Sequence, residues 1–186
     1  MGTLTYATNM SLDGYIEDAT GDFALYPHDD EVFAASTALI GEASTLLYGR
    51  RLYEAMAVWE TDPSLGAQPG LFADFAAAWQ DADKVVWSTT LADPMTRHTR
   101  IERTFDPAAV RALKEATAGS LTVGGADLAA QAFAAGLVDE CRLFVWPSVL
   151  GGGKRALPLA TRTDLDLLGE RRFGNGTVEL RYRVLV

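Results

Sequence analysis

The sequence predicts an α/β fold, a twisted and mostly parallel sheet flanked by helices and closed by an antiparallel C-terminal hairpin. Three observations carry this. Strand-like runs alternate with helix-like runs from Thr3 to Ala135, the pattern of a parallel sheet with crossover helices. Beyond Gly136 the pattern changes to strand-like runs alone, the last two joined by Gly174-Asn175-Gly176. The 186 residues are 48% hydrophobic and 22% charged, ordinary globular composition at a length that one core normally serves, so a single domain over residues 1–186 is expected.

Each element has a local reason. From Thr3 to Met10, Leu4, Tyr6, Thr8 and Met10 alternate with Thr5, Ala7 and Asn9, as in a strand. Ser11-Leu12-Asp13-Gly14-Tyr15-Ile16 turns through its glycine, and Ala19-Thr20-Gly21-Asp22 is a second turn. Val32, Phe33, Leu39 and Ile40 fit one face of a helix from Asp29 to Glu42, with Asp29 and Asp30 suited to its N-terminus. Thr45 to Tyr48 reads as a buried strand, and Gly49 opens a helix from Arg50 to Trp59.

A polar loop with Pro63, Gly66, Pro69 and Gly70 precedes a helix holding Leu71, Phe72, Phe75 and Trp79. Lys84 to Ser88 is a buried strand and Thr99 to Arg103 an edge strand. Asp106 as N-cap and Pro107 at the first position start the next helix. Ser120 to Val123 is a strand, Gly124-Gly125 leads into a helix from Asp127 to Ala135, and Gly136 stops it. Glu140 to Trp146 alternates as a strand and carries the single cysteine, Cys141, read as a buried structural thiol.

Composition excludes several functions. A net charge of −9 argues against a nucleic-acid partner, which needs a clustered basic surface. There is no signal-peptide pattern and no apolar run of membrane-spanning length, so a cytoplasmic protein without a membrane partner is expected. His28 and His98 have no ligand spacing with each other or with Cys141, so no metal is expected.

Two strand-to-helix junctions hold candidate chemistry, since ligands in open α/β sheets bind outside the carboxyl ends of the strands. In Leu46-Leu47-Tyr48-Gly49-Arg50-Arg51-Leu52-Tyr53, two arginines begin a helix whose dipole disfavours cations there. A bound phosphate would remove the conflict. Solvation or pairing with nearby carboxylates would remove it equally well, and the sequence leaves both readings open. Leu121-Thr122-Val123-Gly124-Gly125-Ala126-Asp127-Leu128 puts a glycine pair before a helix, which suits a pyrophosphate or a plain tight turn. No G-x-G-x-x-G is present, Gly151-Gly152-Gly153-Lys154-Arg155 lacks the P-loop residues, and there is no G-x-S-x-G. Hydride transfer from a bound cofactor fits so sparse an inventory.

These residues resemble the dihydrofolate reductase-like superfamily, in particular the branch holding the C-terminal reductase domain of the riboflavin-biosynthesis deaminase/reductase. The resemblance rests on Met10-Ser11-Leu12-Asp13-Gly14-Tyr15-Ile16, Tyr48 to Glu54, Lys84 to Leu91, Val123 to Ala126, and Val138-Asp139-Glu140 leading to Pro147 to Gly153. It implies the three-layer dihydrofolate reductase-like fold, an NADPH cofactor, a small heterocyclic substrate and a homodimer. By position, Gly49, Arg50 and Arg51 would border the cofactor phosphates, and Ser88 and Thr89 the adenosine end. Gly124, Gly125, Ala126 and Leu128 would hold the pyrophosphate. Asn9, Trp146 and Gly151 would face nicotinamide and substrate.

Asp13 is the preferred group for orienting substrate or relaying a proton, its plainer reading being a turn former. Asp29 and Asp30 follow behind it, because capping already explains them. Tyr6, Tyr15, Trp59 and Trp146 are candidate pocket aromatics, Trp146 foremost, whereas Phe75 and Trp79 read as core. Three places depart from the family pattern: Leu52 where a threonine is common, Thr89 where a basic residue is common, and Lys154-Arg155-Ala156-Leu157-Pro158 where an apolar ending is commoner. Three functions stay open: reduction of a pterin-like or ribosylaminopyrimidine compound, of the riboflavin-biosynthesis type and like the 5-amino-6-(5-phosphoribosylamino)uracil reductase; dihydrofolate reduction; and NADPH binding without catalysis.

Overall fold

The computed structural model describes residues 1–22, 26–67 and 69–185. Its eight-stranded sheet is built from β1 (Thr3–Ser11), β3 (Ala43–Gly49), β4 (Asp83–Trp87), β5 (Thr99–Glu102), β6 (Ser120–Gly124), β7 (Glu140–Trp146), β9 (Leu165–Arg172) and β10 (Val178–Val184). The spatial order is β5-β4-β3-β6-β1-β7-β10-β9. All pairings from β5 to β7 are parallel, and β10 pairs antiparallel with β7 and β9. The expected α/β class and terminal hairpin are therefore present, with β5 at the sheet's edge as its sequence suggested.

Strand periodicity divides the core between the two faces. Leu47 and Val85 join Leu4, Tyr6, Leu121 and Val123 beneath α5 (Pro107–Ala116) and α6 (Ala126–Ala134), through Val110, Leu128, Ala129 and Ala132. Leu46, Tyr48 and Val86 turn the other way, toward α1 (Asp30–Glu42) and α4 (Leu71–Asp81), where Ile40, Phe75 and Trp79 meet them. The result is three layers: helices, sheet, helices. Cys141 lies buried in the first cluster, and burial raises its thiol to about 11.

Capping works as the sequence implied. Asp29 accepts from the Val32 amide (3.0 Å) at the start of α1, and Asp106 from the Ala108 amide (2.9 Å) at the start of α5. Two expectations are corrected. The single helix expected from Arg50 to Trp59 is two, α2 (Arg50–Met56) and α3 (Val58–Thr61), with a break at Ala57. The Ser11–Ile16 turn and the glycine loop also lead into a small second sheet, in which β2 (Tyr15–Glu17) pairs antiparallel with β8 (Lys154–Arg155). That sheet brings the glycine loop against the β2 backbone. A Cβ on Gly153 would stand 1.9 Å from the Glu17 carbonyl oxygen, so only glycine fits the approach. No helix among the described residues is long and apolar enough to cross a membrane.

Candidate functional site

Register places three strand ends level with one another. Tyr48 is opposite Gly124 across β3–β6, and Gly49 is opposite Trp87 across β3–β4. The loops leaving these ends, with the end of β1, open onto a cleft of about 490 Å³. Its floor is Ala7, Thr8 and Asn9 of β1, with Gly49, Trp87 and Gly125 beside them. Arg50, Arg51 and Leu52 of α2 form one side, and Ala126, Asp127, Leu128 and Gln131 of α6 the other. Ile16, Glu17, Tyr26 and Lys154 close over it.

The three cations lining this cleft are each paired, Arg51 and Lys154 with carboxylates on another element and Arg50 within its own helix. Arg50 Nε donates to Glu54 Oε1 one helical turn on (2.7 Å), and its Nη1 to the Thr90 hydroxyl. Arg51 pairs with Glu17 of β2 (2.8 Å) and donates to the Gly21 carbonyl. Lys154 of β8 reaches Asp127 of α6 (2.5 Å). The carboxylate partners that the sequence left open for the arginines are thus real. They do not remove the arginines from the cleft, because both still line it. At α6, Gly125 is the N-cap and no side chain caps the helix. Its first-turn amides therefore lack partners within the helix, and with the adjacent cations they complement an anion lying in the cleft.

The cofactor candidates fall into two groups. Gly49, Arg50, Arg51, Gly125, Ala126 and Leu128 all line the cleft. Ser88, Thr89 and Gly124 do not. The Ser88 hydroxyl accepts from the Thr90 and Leu91 amides (3.3 and 2.9 Å) and shapes the turn after β4, while Thr89 is exposed beside it. Gly124 is buried beneath α2. A Cβ there would lie 2.6 Å from Leu52 Cδ2 and 3.1 Å from Tyr48 Cε1, so this glycine lets α2 sit close to β6.

A second cavity of about 310 Å³ adjoins the first, sharing Asn9 and Tyr26 with it. Pro27, His28, Asp29, Val32, Phe33, Ser36 and Trp146 complete its lining. Trp146 Nε1 donates to Asn9 Oδ1 (2.9 Å), and the Trp146 ring stacks on Tyr26 (4.9 Å, 16°). An indole N–H can only donate, so this bond fixes Oδ1 as the Asn9 acceptor and leaves the amide N–H₂ to donate elsewhere. Tyr26 Oη donates to the Tyr15 carbonyl (3.1 Å). Burial, with a smaller contribution from the Asp13 charge, raises this phenol to about 12.

Asp13 and Gly151 stand apart from both cavities. Asp13 accepts from the Ser11 hydroxyl (2.6 Å), the Leu150 amide (3.1 Å) and the Gly151 amide (2.7 Å). The Ser11 bond first, then the two amides, hold its carboxyl at about 2. Its oxygens tie the 148–153 loop to the first turn. Among the other aromatic candidates, Tyr6 is fully buried with its hydroxyl on the Ala156 carbonyl (2.5 Å). Tyr15 lies under Arg155, and Trp59 packs on Phe33 and Phe75. Phe75 and Trp79 are core.

Glu17, Tyr26, Trp87 and Asp127 were not singled out by the sequence. Asp127 and Trp87 each lie inside a quoted motif and were within reach of it. Glu17 and Tyr26 have no periodic or motif signal and arrive only through the β2–β8 pairing and the chain that crosses above the sheet.

Together, these features define a three-layer α/β protein with a cleft over glycine-led helix starts at the carboxyl edge of a parallel sheet. Comparison makes this specific. Residues 2–178 match the RibD C-terminal domain family, and the chain belongs to it. It is 26% identical over 185 residues to the uncharacterized protein YyaP of Bacillus subtilis (strain 168), covering 93% of this chain and 90% of that one. The fold is similar to that of a putative riboflavin biosynthesis protein from Shewanella sp. PV-4, with TM-score 0.76, 17% identity and 99% coverage of both chains. It is also similar to the Thermotoga maritima diaminohydroxyphosphoribosylaminopyrimidine deaminase/5-amino-6-(5-phosphoribosylamino)uracil reductase, with TM-score 0.66 and 14% identity. There the match spans 99% of this chain and 57% of the Thermotoga one.

Proposed function

We propose that this chain is an NADPH-dependent reductase delivering hydride to a C=N or C=O carbon of a flat, pterin-like or ribosylaminopyrimidine substrate. The observation that carries this reading is the pair of adjoining cavities. One is lined by glycines, helix-start amides and cations, the other by aromatics, and Asn9 and Tyr26 form their common wall. Membership of the RibD C-terminal domain family supports it, as does the reductase activity in the name of the Thermotoga neighbour.

The residues present fit such a cofactor. Arg50 and Arg51 offer guanidinium groups to phosphates, and Gly125, Ala126 and Leu128 offer backbone beside the uncapped start of α6. Bound there, NADPH supplies the hydride. The chain's own work is positioning. Asn9 orients a substrate acceptor through its amide N–H₂, while the Trp146–Tyr26 stack walls the ring's compartment. In this reading Asp13 is a positioning residue, because its ionised carboxylate is occupied in holding the glycine loop. The acidic residues at the start of α1 do not favour dihydrofolate: Asp29 is taken up by the cap, and Asp30 and Glu31 are exposed.

Steady-state oxidation of NADPH against a panel of pterins, aminopyrimidines and simple carbonyls tests the proposal. Turnover of a flat heterocycle is expected. Tight NADPH binding with no turnover of any compound would favour a binding protein instead.

A further inference from the structure

The second cavity differs in charge from the cleft it adjoins. The cleft is lined by Arg50, Arg51 and Lys154, whereas the lining of the 310 Å³ cavity holds no lysine or arginine among the described residues. The residues left undescribed are Phe23, Ala24, Leu25, Gln68 and Val186, none of which is a cation. Arg171 lies over the Phe173 ring (4.6 Å) and takes no part in the lining.

The α1 N-terminus opens beside this cavity and would otherwise be its phosphate-binding element. It is already capped by a carboxylate of the chain itself, Asp29. Asp29 accepts from the Val32 amide (3.0 Å), Asp30 and Glu31 follow in the first turn, and His28 is committed to Asp30 (2.8 Å). A substrate phosphate would meet the Asp29 carboxylate at the cavity wall, with the exposed Asp30, paired to His28, and Glu31, which accepts from the Gly174 amide (2.8 Å), outside the lining. The ring end is provided for: Tyr26 and Trp146 give a flat aromatic wall, and the Asn9 amide, fixed by Trp146 Nε1, presents donors. The volume is at the lower end of small-molecule sites, about 300–1,000 Å³.

Building on the reductase reading, we infer that the substrate is a planar, phosphate-free heterocycle that presents a ring carbonyl or other acceptor to the Asn9 amide. The phosphate of a phosphoribosyl compound has no counterpart in this compartment.

The test measures direct binding, by calorimetry on cofactor-free protein, of 5-amino-6-ribosylaminouracil and of its 5′-phosphate. The phosphate-free compound is expected to bind at least about tenfold more tightly. Asp29→Asn keeps an oxygen for the Val32 amide but removes one charge, and should narrow that gap severalfold. Asn9→Asp keeps the acceptor for Trp146 Nε1 but loses the donors, and should weaken the phosphate-free compound by about tenfold or more. Equal or tighter binding of the 5′-phosphate would overturn the inference, as would binding of neither compound or a ratio unchanged by Asp29→Asn. A parallel NADPH titration separates the two proposals: ring selectivity without NADPH binding would sink only the reductase reading. NADPH binding with the wrong ring preference would sink only this one.

Discussion

Gly124→Ala probes the contact that sets α2 against β6 and thereby shapes the cleft. A Cβ at this position would meet Leu52 Cδ2 at 2.6 Å and the Tyr48 ring at 3.1 and 3.3 Å. Tyr48 is 3% exposed and packed in the core beneath α1 and α4, so it has nowhere to go. Leu52 is half-buried and lines the cleft, so relief requires its side chain to move into the space assigned to the cofactor. Overpacking of this kind costs about 1–3 kcal/mol. For a chain of this size, about 2 kcal/mol lowers Tm by about 4–8 °C. NADPH affinity should fall with it.

Thermal melts and NADPH titrations of the wild type, Gly124→Ala, Leu52→Ala and the double variant make the assay. Because Leu52→Ala removes the colliding atom, the double variant should be destabilised less than the two singles combined, with a coupling of about 1 kcal/mol. Strictly additive effects, or an unchanged melt for Gly124→Ala, would refute the packing argument.

Arg50→Ala should weaken NADPH binding more than NADH binding, since only NADPH carries the 2′-phosphate; equal losses by titration would remove Arg50 from that role. Asp13→Asn should impair turnover while leaving NADPH affinity nearly unchanged, because its contacts are to the glycine loop. The pH dependence of that loop follows from the Asp13 carboxyl, which lies at about 2 against an ordinary 3.8. A depressed carboxyl stabilises the fold above the unfolded value and loses that contribution as pH falls through the folded one, so protection of the Gly151 amide from hydrogen exchange should decline between about pH 4 and pH 2. Lys84→Met should cost about 3 kcal/mol, read as a Tm lowered by about 6–12 °C. This lysine is 1% exposed and donates to the Trp79 and Ala82 carbonyls (3.0 and 2.8 Å), which methionine would leave unpaired.

Most of the fold is written locally in the chain. Alternation sends Leu46 and Tyr48 to one face and Leu47 to the other, and Asp29 and Asp106 mark helix starts by chemistry that needs no tertiary context. The β7 limits, Glu140 and Trp146, follow from the same alternation. What stayed hidden depends on distant pairing. β8 is two residues long and β2 three, too short for any periodicity, yet together they carry Glu17 and Lys154 over the cleft. The α2–α3 break at Ala57 follows no proline or glycine and was equally silent. At the site, the second junction was visible because Gly124 is closely approached by Leu52 and Gly125 has a left-handed φ of 87°, whereas a Cβ on Gly49 would meet nothing within 4 Å. The function of Asp13 was not visible, since a turn former, a proton relay and a loop tether all place an aspartate before a glycine. The contacts to the Leu150 and Gly151 amides, more than 130 residues away in sequence, come only from the fold.

The central claim is that the cleft over α2 and α6 is a site for NADPH. Isothermal titration of the wild-type protein with NADPH, and then with NADH under the same conditions, tests it most directly. The account predicts saturable binding of one NADPH per chain, with NADH weaker and with the difference reduced in Arg50→Ala. Absence of NADPH binding at millimolar concentration would contradict it.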